Sequence, residues 1–402
     1  MININEFISK YVTRRELSMF LPDINANIAQ LKQEINGKSV LVIGGAGTIG
    51  SSFIKALLPF QPKSLTVVDI NENGLTELTR DLRSSKDQNM PEEYTTYPMN
   101  YADNVFKKLF INRKGYDIVA NFSAHKHVRS EKDIYSVEAL IRNNIINAKK
   151  LLDLLEEYPP YRFFCVSTDK AANPVNIMGG SKKIMEDMIM AYSSKFNITT
   201  ARFANVAFSN GSLPEGFLNR ISKHQPISAP NDVTRYFVSP MESGQICLLA
   251  CMLGNSGEVF FPKLKPEHIM TFSEIANLLL NELEYDLEYC KSESEAISKS
   301  LSVIDKTNRY PVYYSKSNTT GEKPYEEFYT SNEITDMNRY KALGVITNIK
   351  SKPISDIDLL IEKLEEVFSS KCTKKEKIIA IMKDFLVNFD HKETGKTLDS
   401  KM

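Results

Sequence analysis

The segment SVLVIGGAGTIGSSFIKALL, residues 39–58, joins two apolar runs through a turn rich in glycine. The run SVLVI is typical of a buried strand, and SSFIKALL is typical of an apolar helix. Gly44, Gly47 and Gly50 form a G-x-x-G-x-x-G pattern between them. Because glycine has no Cβ atom, this spacing permits a tight turn and a close approach to a pyrophosphate. The segment therefore predicts the strand, turn and helix of a dinucleotide site, although the glycines could also serve only to pack a helix against a strand.

A carboxylate follows this turn at the expected distance. Asp69 lies 19 residues after Gly50, at the end of the next predicted strand, SLTVVDI. A carboxylate at that place accepts hydrogen bonds from the adenosine ribose and repels a 2′-phosphate, which favours NAD over NADP. Arg80 and Arg83 could fold back to a 2′-phosphate, so NADP stays an alternative.

Strands and helices continue to alternate along the chain. Predicted strands at DIVANFSA, RFFCVST and ITTARFAN are separated by the helical runs VEALIRNNIINAKKLLDLL and SKKIMEDMIMAYSSKF. This order predicts an α/β fold with a Rossmann-type, doubly wound parallel sheet and a smaller carboxyl-terminal substrate lobe. The polar run KSESEAISKS in that lobe has the composition of a flexible insertion. The expected organisation is a helical appendage at 1–37, an NAD-binding domain at 38–206, a substrate lobe at 207–350 that partly returns to the first domain, and a helical extension at 351–402.

Composition excludes several classes of partner. The chain has 402 residues, with 50 Lys and Arg against 50 Asp and Glu, so no net charge attracts nucleic acid or an anionic membrane. No run approaches the roughly 20 apolar residues that span a bilayer, and we expect neither a membrane span nor a signal peptide. The five cysteines show no C-x-x-C pairing, which fits a reducing cytoplasm, and no metal site is expected.

The strongest candidate for catalysis follows the strand RFFCVST. This strand ends in Ser167, Thr168, Asp169 and Lys170, at the edge where open α/β sheets bind their ligands. Lys182 lies on the next helix, with Met178 four residues before it. The plain alternative is a strand-terminal Asp-Lys pair that only caps a turn.

The run STDKAANPVNIMGGSKKIMED closely resembles one branch of the extended short-chain dehydrogenase/reductase superfamily, the CapD-like nucleotide-sugar dehydratases of polysaccharide biosynthesis. NFSAHKHVRSEKD, RFANVAFSNGS, DVTRYFVSP and GEKPYEEFY match the same branch in the same order, over residues 38–350. The superfamily normally carries Tyr-x-x-x-Lys, and some members of this branch have methionine in place of the tyrosine, as at Met178. The residues Asn318, Thr319 and Thr320 depart from the family pattern before GEK.

The resemblance implies a UDP-N-acetylglucosamine 4,6-dehydratase that oxidises C4 with bound NAD, eliminates water across C5 and C6, and returns the hydride to C6. It implies that Lys170 is the base at C5, Asp169 the acid at the C6 hydroxyl, and that Thr168 binds near the C4 oxygen. The expected catalytic residues are Thr168, Asp169, Lys170, Met178 and Lys182. The expected cofactor contacts are Gly44, Gly47, Thr48, Ile49, Gly50, Asp69, Ser123, Ala124, Asn144 and Lys182. The expected substrate contacts are Lys126, His127, Asn205, Ser212, Arg235 and Glu322.

Other functions stay open from the sequence. A UDP-sugar 4-epimerase or a dehydratase that inverts C5 would use the same cofactor and similar substrate contacts. A homologue without activity could sense NAD or act as a scaffold, because methionine cannot replace the tyrosine as a base. Relatives form dimers or larger rings, so the resemblance also implies a homo-oligomer.

Overall fold

A computed structural model describes residues 2–86, 89–126, 131–303, 307–317, 323, 325–370 and 373–392. The strands in these ranges are β1 (Ser39–Ile43), β2 (Ser64–Asp69), β3 (Glu93–Pro98), β4 (Ile118–Asn121), β5 (Arg162–Val166), β6 (Ile198–Ala201), β7 (Asn205–Val206), β8 (Ile227–Pro230), β9 (Thr234–Val238), β10 (Val259–Pro262), β11 (Ile269–Thr271), β12 (Asp286–Tyr289), β13 (Arg309–Ser315), β14 (Thr335–Asp336) and β15 (Leu343–Ile346).

The helices are α1 (Ile4–Phe7), α2 (Leu21–Ala26), α3 (Ile28–Ile35), α4 (Thr48–Leu57), α5 (Glu72–Ser84), α6 (Asn104–Asn112), α7 (Ile134–Ile141), α8 (Ala148–Glu157), α9 (Ile177–Tyr192), α10 (Leu213–Ile221), α11 (Pro240–Leu253), α12 (Phe272–Glu282), α13 (Glu293–Val303), α14 (Ile354–Ser369) and α15 (Lys375–Phe385). Short π-helical segments cover Ile8–Val12 and Arg142–Asn147. No helix in the described part of the chain is both long enough and apolar enough to span a bilayer.

The main sheet confirms the predicted Rossmann-type fold. Within the described ranges it contains nine strands in the order β3-β2-β1-β4-β5-β6-β10-β15-β14. Neighbouring strands are parallel from β3 to β10, whereas β15 and β14 add an antiparallel edge. All five residues of β5 are buried, as expected for a strand covered on both faces. The order β3-β2-β1-β4-β5-β6 reverses direction between β1 and β4, which creates the crevice where such sheets bind ligands.

Two groups of helices cover this sheet. α4 and α11 pack closely because Gly244 has no side chain: a Cβ atom there would lie 2.2 Å from the Ser52 carbonyl oxygen. α7, α8, α9 and α14 form the second group, in which α9 touches the other three helices. Nearly every residue of α9 is buried, so its position relative to the sheet is determined along its whole length.

The carboxyl-terminal lobe contains two small sheets. One has the order β11-β9-β7, and the other has the order β12-β13-β8 with parallel neighbours. The run KSESEAISKS, predicted to be a flexible insertion, lies mostly in α13, so that prediction is wrong. Parallel strands need a crossover between them, and α13 provides the crossover from β12 to β13. Its fully buried Ala296 shows which face packs against the lobe.

The terminal helices contribute to the cores. Phe20 and Leu31 are buried in the main core, while Phe7 and Val12 are buried in the core of the smaller lobe. Pro22 lies in the first turn of α2, so it begins that helix rather than breaking a longer one. At the other end, α14 and α15 pack together, and α14 packs on α9.

Candidate active site

The glycine turn between β1 and α4 is too crowded for side chains at two positions. Gly44 has φ +76°, and a Cβ atom there would lie 2.7 Å from the Ser123 main-chain nitrogen. A Cβ at Gly50 would lie 2.3 Å from the Gly44 carbonyl oxygen. At Gly47, in contrast, a Cβ would meet only that same oxygen, at 3.5 Å. The amino terminus of α4 is therefore open next to Gly47, and its first N–H groups have no partner within the helix.

Asp69 ties the end of β2 to this turn. Its Oδ2 accepts a hydrogen bond of 3.0 Å from the Ala46 N–H, and its Oδ1 accepts one of 2.9 Å from the Asn71 N–H. The side chain is half-buried. Each carboxylate oxygen has a second lone pair, so Asp69 can stabilise the turn and still accept hydrogen bonds from a ligand.

The loop after β4 lies beside the turn and is held by amide side chains. The Asn121 Oδ1 accepts a bond of 2.9 Å from the Ser123 N–H. Asn144 bonds both main-chain groups of His125, at 2.9 and 3.0 Å, and is only 2% exposed. Asn144 lies in the π-helical segment between α7 and α8, in the middle of the helical run rather than at its start. The structure thus assigns Asn144 to the support of the loop that carries Ser123 and Ala124.

A second loop crosses the mouth of this region. The Thr48 Oγ1 accepts a hydrogen bond of 2.9 Å from the Asn210 N–H, and the Lys126 Nζ donates one of 2.8 Å to the Asn210 carbonyl oxygen. Burial lowers the pKa of Lys126. Asn210, which was not identified from the sequence, therefore joins Thr48 at the start of α4 to Lys126 in the loop after β4. His127 lies outside the described residues.

Asp169 and Lys170 begin a short 3-10 turn directly after β5. The Lys170 Nζ lies 3.1 Å from the Asp169 Oδ1, which also accepts a bond of 2.9 Å from the Thr168 hydroxyl. Asp169 is 4% exposed, so the pair is largely shielded from water. Burial acts to lower the pKa of Lys170, but the charges of Asp169 and Glu326 outweigh it and raise that pKa.

Met178 and Lys182 lie at the start of α9, which Asn176 caps. The Met178 N–H donates a bond of 3.0 Å to the Glu131 Oε1. The Lys182 Nζ donates a bond of 3.1 Å to the Val166 carbonyl oxygen, at the end of β5, and burial lowers its pKa. An ammonium group has three hydrogens, so this bond leaves Lys182 able to donate to a ligand.

Three of the expected substrate contacts lie on the smaller lobe. Asn205 is in β7, Ser212 caps α10 by accepting from the Glu215 N–H, and Arg235 is in β9. Arg235 is 5% exposed, and its guanidinium donates to the Lys323 carbonyl oxygen at 3.0 Å. Glu322 lies outside the described residues.

Glu326 is a carboxylate at this site that the sequence analysis missed. Its Oε1 lies 3.7 Å from the Lys170 Nζ and 3.9 Å from an Arg235 nitrogen, and the side chain is 5% exposed. Burial and the charge of Asp169 raise its pKa, against the opposing effect of Lys170 and Arg235. Glu326 lies in the motif GEKPYEEFY, but the sequence alone does not distinguish it from its exposed neighbour Glu327.

The strand order and the glycine turn together define a Rossmann-type α/β protein with polar residues along one sheet edge. A family model described as "Polysaccharide biosynthesis protein" matches residues 40–348, and the chain belongs to this family.

Three relatives span different shares of the chain. An uncharacterized membrane protein of Methanocaldococcus jannaschii is 30% identical over 359 residues, which cover 86% of this chain and 96% of the relative. The capsular polysaccharide biosynthesis protein CapD of Staphylococcus aureus is 28% identical over 89% of this chain, which spans only 55% of that relative's length. The inverting UDP-N-acetylglucosamine 4,6-dehydratase of Campylobacter jejuni is 24% identical over 72% of this chain and 89% of its own.

Solved structures share the fold at lower identity. Pen from Bacillus thuringiensis has a TM-score of 0.63 and 20% identity, over 82% of this chain and 98% of its own. The UDP-N-acetylglucosamine 4-epimerase of Methanobrevibacter ruminantium has a TM-score of 0.55 and 17% identity, over 83% of this chain and 99% of its own. These likenesses support the fold, while the residues at the sheet edge carry the argument on function.

Proposed function

We propose that this chain is an NAD-dependent nucleotide-sugar dehydratase that converts UDP-N-acetylglucosamine to a UDP-4-keto-6-deoxy-N-acetylhexosamine. The observation that carries this proposal is the pair of a buried Asp169 and a half-buried Lys170, 3.1 Å apart at the edge of the sheet that also holds the glycine turn. Elimination of water from a keto-sugar needs a base for a carbon-bound proton and an acid for the leaving hydroxyl. This pair has both residue types. The name of the Campylobacter jejuni relative supports the same reaction.

The residues around the glycine turn fit a dinucleotide. The open amino terminus of α4 would bind the pyrophosphate through the N–H groups of Thr48 and Ile49. Asp69 would accept hydrogen bonds from the adenosine ribose, which favours NAD over NADP. When bound, the nicotinamide supplies a hydride acceptor for C4 of the sugar and later a hydride donor for C6.

The residues after β4 and β5 would contact the other half of the cofactor. Ser123 and Ala124 would line the nicotinamide side with main-chain groups, at the loop that Asn144 supports. Lys182 would donate to the nicotinamide ribose with a hydrogen that the Val166 carbonyl leaves free.

Lys170 and Asp169 divide the elimination between them. A ketone at C4 acidifies the C5 proton because the resulting carbanion is stabilised as an enolate. Lys170, in its neutral form, takes that proton, and Asp169 protonates the C6 hydroxyl as it leaves as water. Met178 has no ionisable group, so Asp169 is also the residue that takes the C4 hydroxyl proton during the oxidation. The same proton then goes to the leaving hydroxyl, which restores Asp169, and Thr168 binds near the C4 oxygen.

The smaller lobe would bind the nucleotide part of the substrate. The forked guanidinium of Arg235 suits a diphosphate, and the Asn205 amide can donate to the same group. Ser212 and Lys126 lie at the same mouth, on the two loops that Asn210 joins. By the family resemblance, His127 and Glu322 belong to this set as well.

A dehydratase that inverts C5 is the second candidate, because the Campylobacter jejuni relative carries that name. Inversion needs the enolate to receive its proton on the opposite face from the one that lost it. A UDP-sugar 4-epimerase is disfavoured by the Asp169–Lys170 pair, since C4 epimerisation requires no acid at C6. A silent NAD-binding homologue would have no use for that pair either.

The test is to incubate the purified protein with NAD and UDP-N-acetylglucosamine and to follow the product by mass spectrometry. We expect a 4-keto product that is lighter by one water, and the NMR spectrum of its C5 proton distinguishes the two configurations. Asp169→Asn and Lys170→Ala should each lower kcat by about 10²- to 10⁴-fold. NAD binding, measured by calorimetry, should be retained in both variants.

The control is Lys195→Ala, which removes an exposed ion pair with Glu156 and should leave kcat unchanged. Near-normal kcat in both site variants would remove the pair from the mechanism. A product of unchanged mass would instead indicate an epimerase.

A further inference from the structure

Glu326 is held beside Lys170 by a segment that is anchored at several points. The Asn173 amide donates a bond of 2.8 Å to the neighbouring Glu327. Arg202, which is fully buried, donates one of 2.9 Å to the Phe328 carbonyl oxygen. These two contacts hold the chain directly after Glu326, and the bond of 3.0 Å from the Arg235 guanidinium to the Lys323 carbonyl oxygen holds the chain before it. The Glu326 carboxylate therefore does not reach the catalytic edge by chance rotation of a free loop.

The Glu326 carboxylate is incompletely bonded despite its burial. Its Oε2 is buried and has no hydrogen-bond partner within the described structure. Its nearest cationic atoms are the Nζ of Lys170 at 3.7 Å and nitrogens of Arg235 and Lys323, each at 3.9 Å. A buried carboxylate oxygen without a hydrogen bond makes the anion costly, and protonation reduces that cost.

Lys170 must lose a proton to act as a base, whereas Glu326 is stabilised when it gains one. Lys170 must be neutral to remove a carbon-bound proton, yet Asp169 and Glu326 stabilise its charged form and raise its pKa. The charged groups that face Glu326 are Lys170, Asp169, Arg235 and Lys323. Arg235 stays protonated at any relevant pH, so it cannot take the proton. Asp169 is occupied with the leaving hydroxyl in the proposed mechanism, which leaves Glu326 as the free acceptor.

We propose that Glu326 is the residue that accepts a proton from Lys170 and thereby makes Lys170 a base. The N–H bond of the Lys170 ammonium breaks and an O–H bond forms on Glu326, either directly after a small side-chain movement or through one bridging water. The neutral Lys170 then takes the C5 proton and gives it back to C5 when the hydride returns to C6. Glu326 keeps its proton through the cycle. This inference rests on the proposed function of Lys170 and makes Glu326 a positioning residue that acts through it.

The pH profile of kcat distinguishes this role from a structural one. In the wild type, the proton is shared within the pair, so the neutral fraction of Lys170 does not change with pH while the pair holds one proton. Glu326→Gln removes the acceptor but keeps the shape of the side chain. In this variant the neutral fraction, and with it kcat, should rise about tenfold per pH unit below the pKa of Lys170. We expect the wild-type profile to stay level over the same range.

Matched variants complete the kinetic test. Glu326→Asp keeps a carboxyl group and should keep the level profile at a lower kcat. Glu267→Gln changes an exposed glutamate that has no contact with the described site residues and should behave like the wild type. If Glu326→Gln changes only KM, or lowers kcat with an unchanged level profile, Glu326 merely supports Arg235 and the proposal is wrong.

A second measurement needs no sugar and separates this inference from the proposed function. Acetic anhydride reacts with neutral amines, and the Lys170 side chain is 18% exposed, so its acetylation rate can be followed by peptide mass spectrometry. The rate should be independent of pH in the wild type and should rise with pH in Glu326→Gln. A wild type that forms no keto-sugar would refute the dehydratase alone, whereas parallel acetylation profiles would refute the proton transfer alone.

Discussion

Gly44 and Gly50 illustrate how single residues determine the dinucleotide turn. Both positions lack room for one carbon atom, and in both cases the obstructing atoms belong to the main chain, which cannot rotate away. Gly44 has in addition a left-handed φ that an L-amino acid adopts only with strain. The third glycine of the motif, Gly47, is not required by packing, so the turn leaves open space beside it, which the proposed pyrophosphate would occupy.

We predict opposite effects for two glycine-to-alanine changes. Gly44→Ala should lower the free energy of unfolding by more than about 2 kcal/mol, because left-handed strain alone costs about 1–3 kcal/mol and a clash with Ser123 is added. Gly216→Ala, inside α10 with nothing within 4 Å of its Cβ, should raise it by about 0.5–1 kcal/mol. Urea unfolding measures both. Equal stability of Gly44→Ala and wild type would show that the turn can rearrange.

Helix α9, which carries Met178 and Lys182 of the candidate site, shows how an element depends on a distant one. The segment after α15 returns to the first turn of α9, where a Cβ at Gly180 would lie 3.1 Å from the Phe389 ring. The Lys392 N–H donates to the Val175 carbonyl oxygen at 3.0 Å, and the His391 ring lies 3.3 Å from the Glu131 carboxylate that bonds Met178. The carboxyl-terminal extension is therefore part of the framework of the site.

Two substitutions in this segment should have very different effects on stability and on kcat. Phe389 is 5% exposed and Val387 is 94% exposed. Phe389→Ala should destabilise the protein by roughly 3 kcal/mol and lower kcat, because the first turn of α9 loses its cover. Val387→Ala, two residues away, should change neither quantity measurably. Thermal unfolding and product formation test this, and a Phe389→Ala enzyme with wild-type stability would exclude the support role.

Over the whole molecule, Arg202 links the sheet, α9 and the segment that carries Glu326. It follows β6, is fully buried, and forms paired bonds with Glu186 on α9, at 2.9 and 2.8 Å, and with Glu333, at 2.9 and 2.8 Å. Burial would raise the pKa of Glu186, but the charge and hydrogen bonds of Arg202, helped by Lys183 and Ser167, lower it to about 2.

Removal of this link should destabilise the protein in a pH-dependent manner. Arg202→Met removes the guanidinium that forms paired bonds with two carboxylates and should cost about 3–5 kcal/mol at neutral pH. Because the Glu186 pKa is depressed, its contribution is present above the unfolded value of 4.5 and is lost as the pH falls towards about 2. The difference in free energy of unfolding between wild type and variant should narrow over that range. Arg80→Met, in an exposed pair of 3.9 Å, is the control and should cost little. A constant difference at all pH values would contradict the assignment.

Features that depend on neighbours in the chain were predictable from the sequence. The glycine turn, Asp69, the Asp169–Lys170 pair and the parallel α/β fold follow from local patterns of apolar residues and from backbone geometry, which act over a few residues. β3 was not identified because it is an edge strand whose residues are half-exposed, so its pattern is weak. The run in α13 was misjudged because polar residues outnumber its one fully buried position.

The approach of Glu326 to Lys170, the return of Phe389 to α9 and the link through Arg202 required the folded chain. The first two contacts, and the bond from Arg202 to Phe328, join residues more than 100 positions apart, and no local pattern records which distant segments will meet. Burial then changes the chemistry, because loss of hydration disfavours the anionic form of a carboxylate and raises the pKa of Glu326. Composition and spacing thus determined which reactive groups stand at the ends of the strands, and long-range packing determined which of those groups lie together and how strongly they are buried.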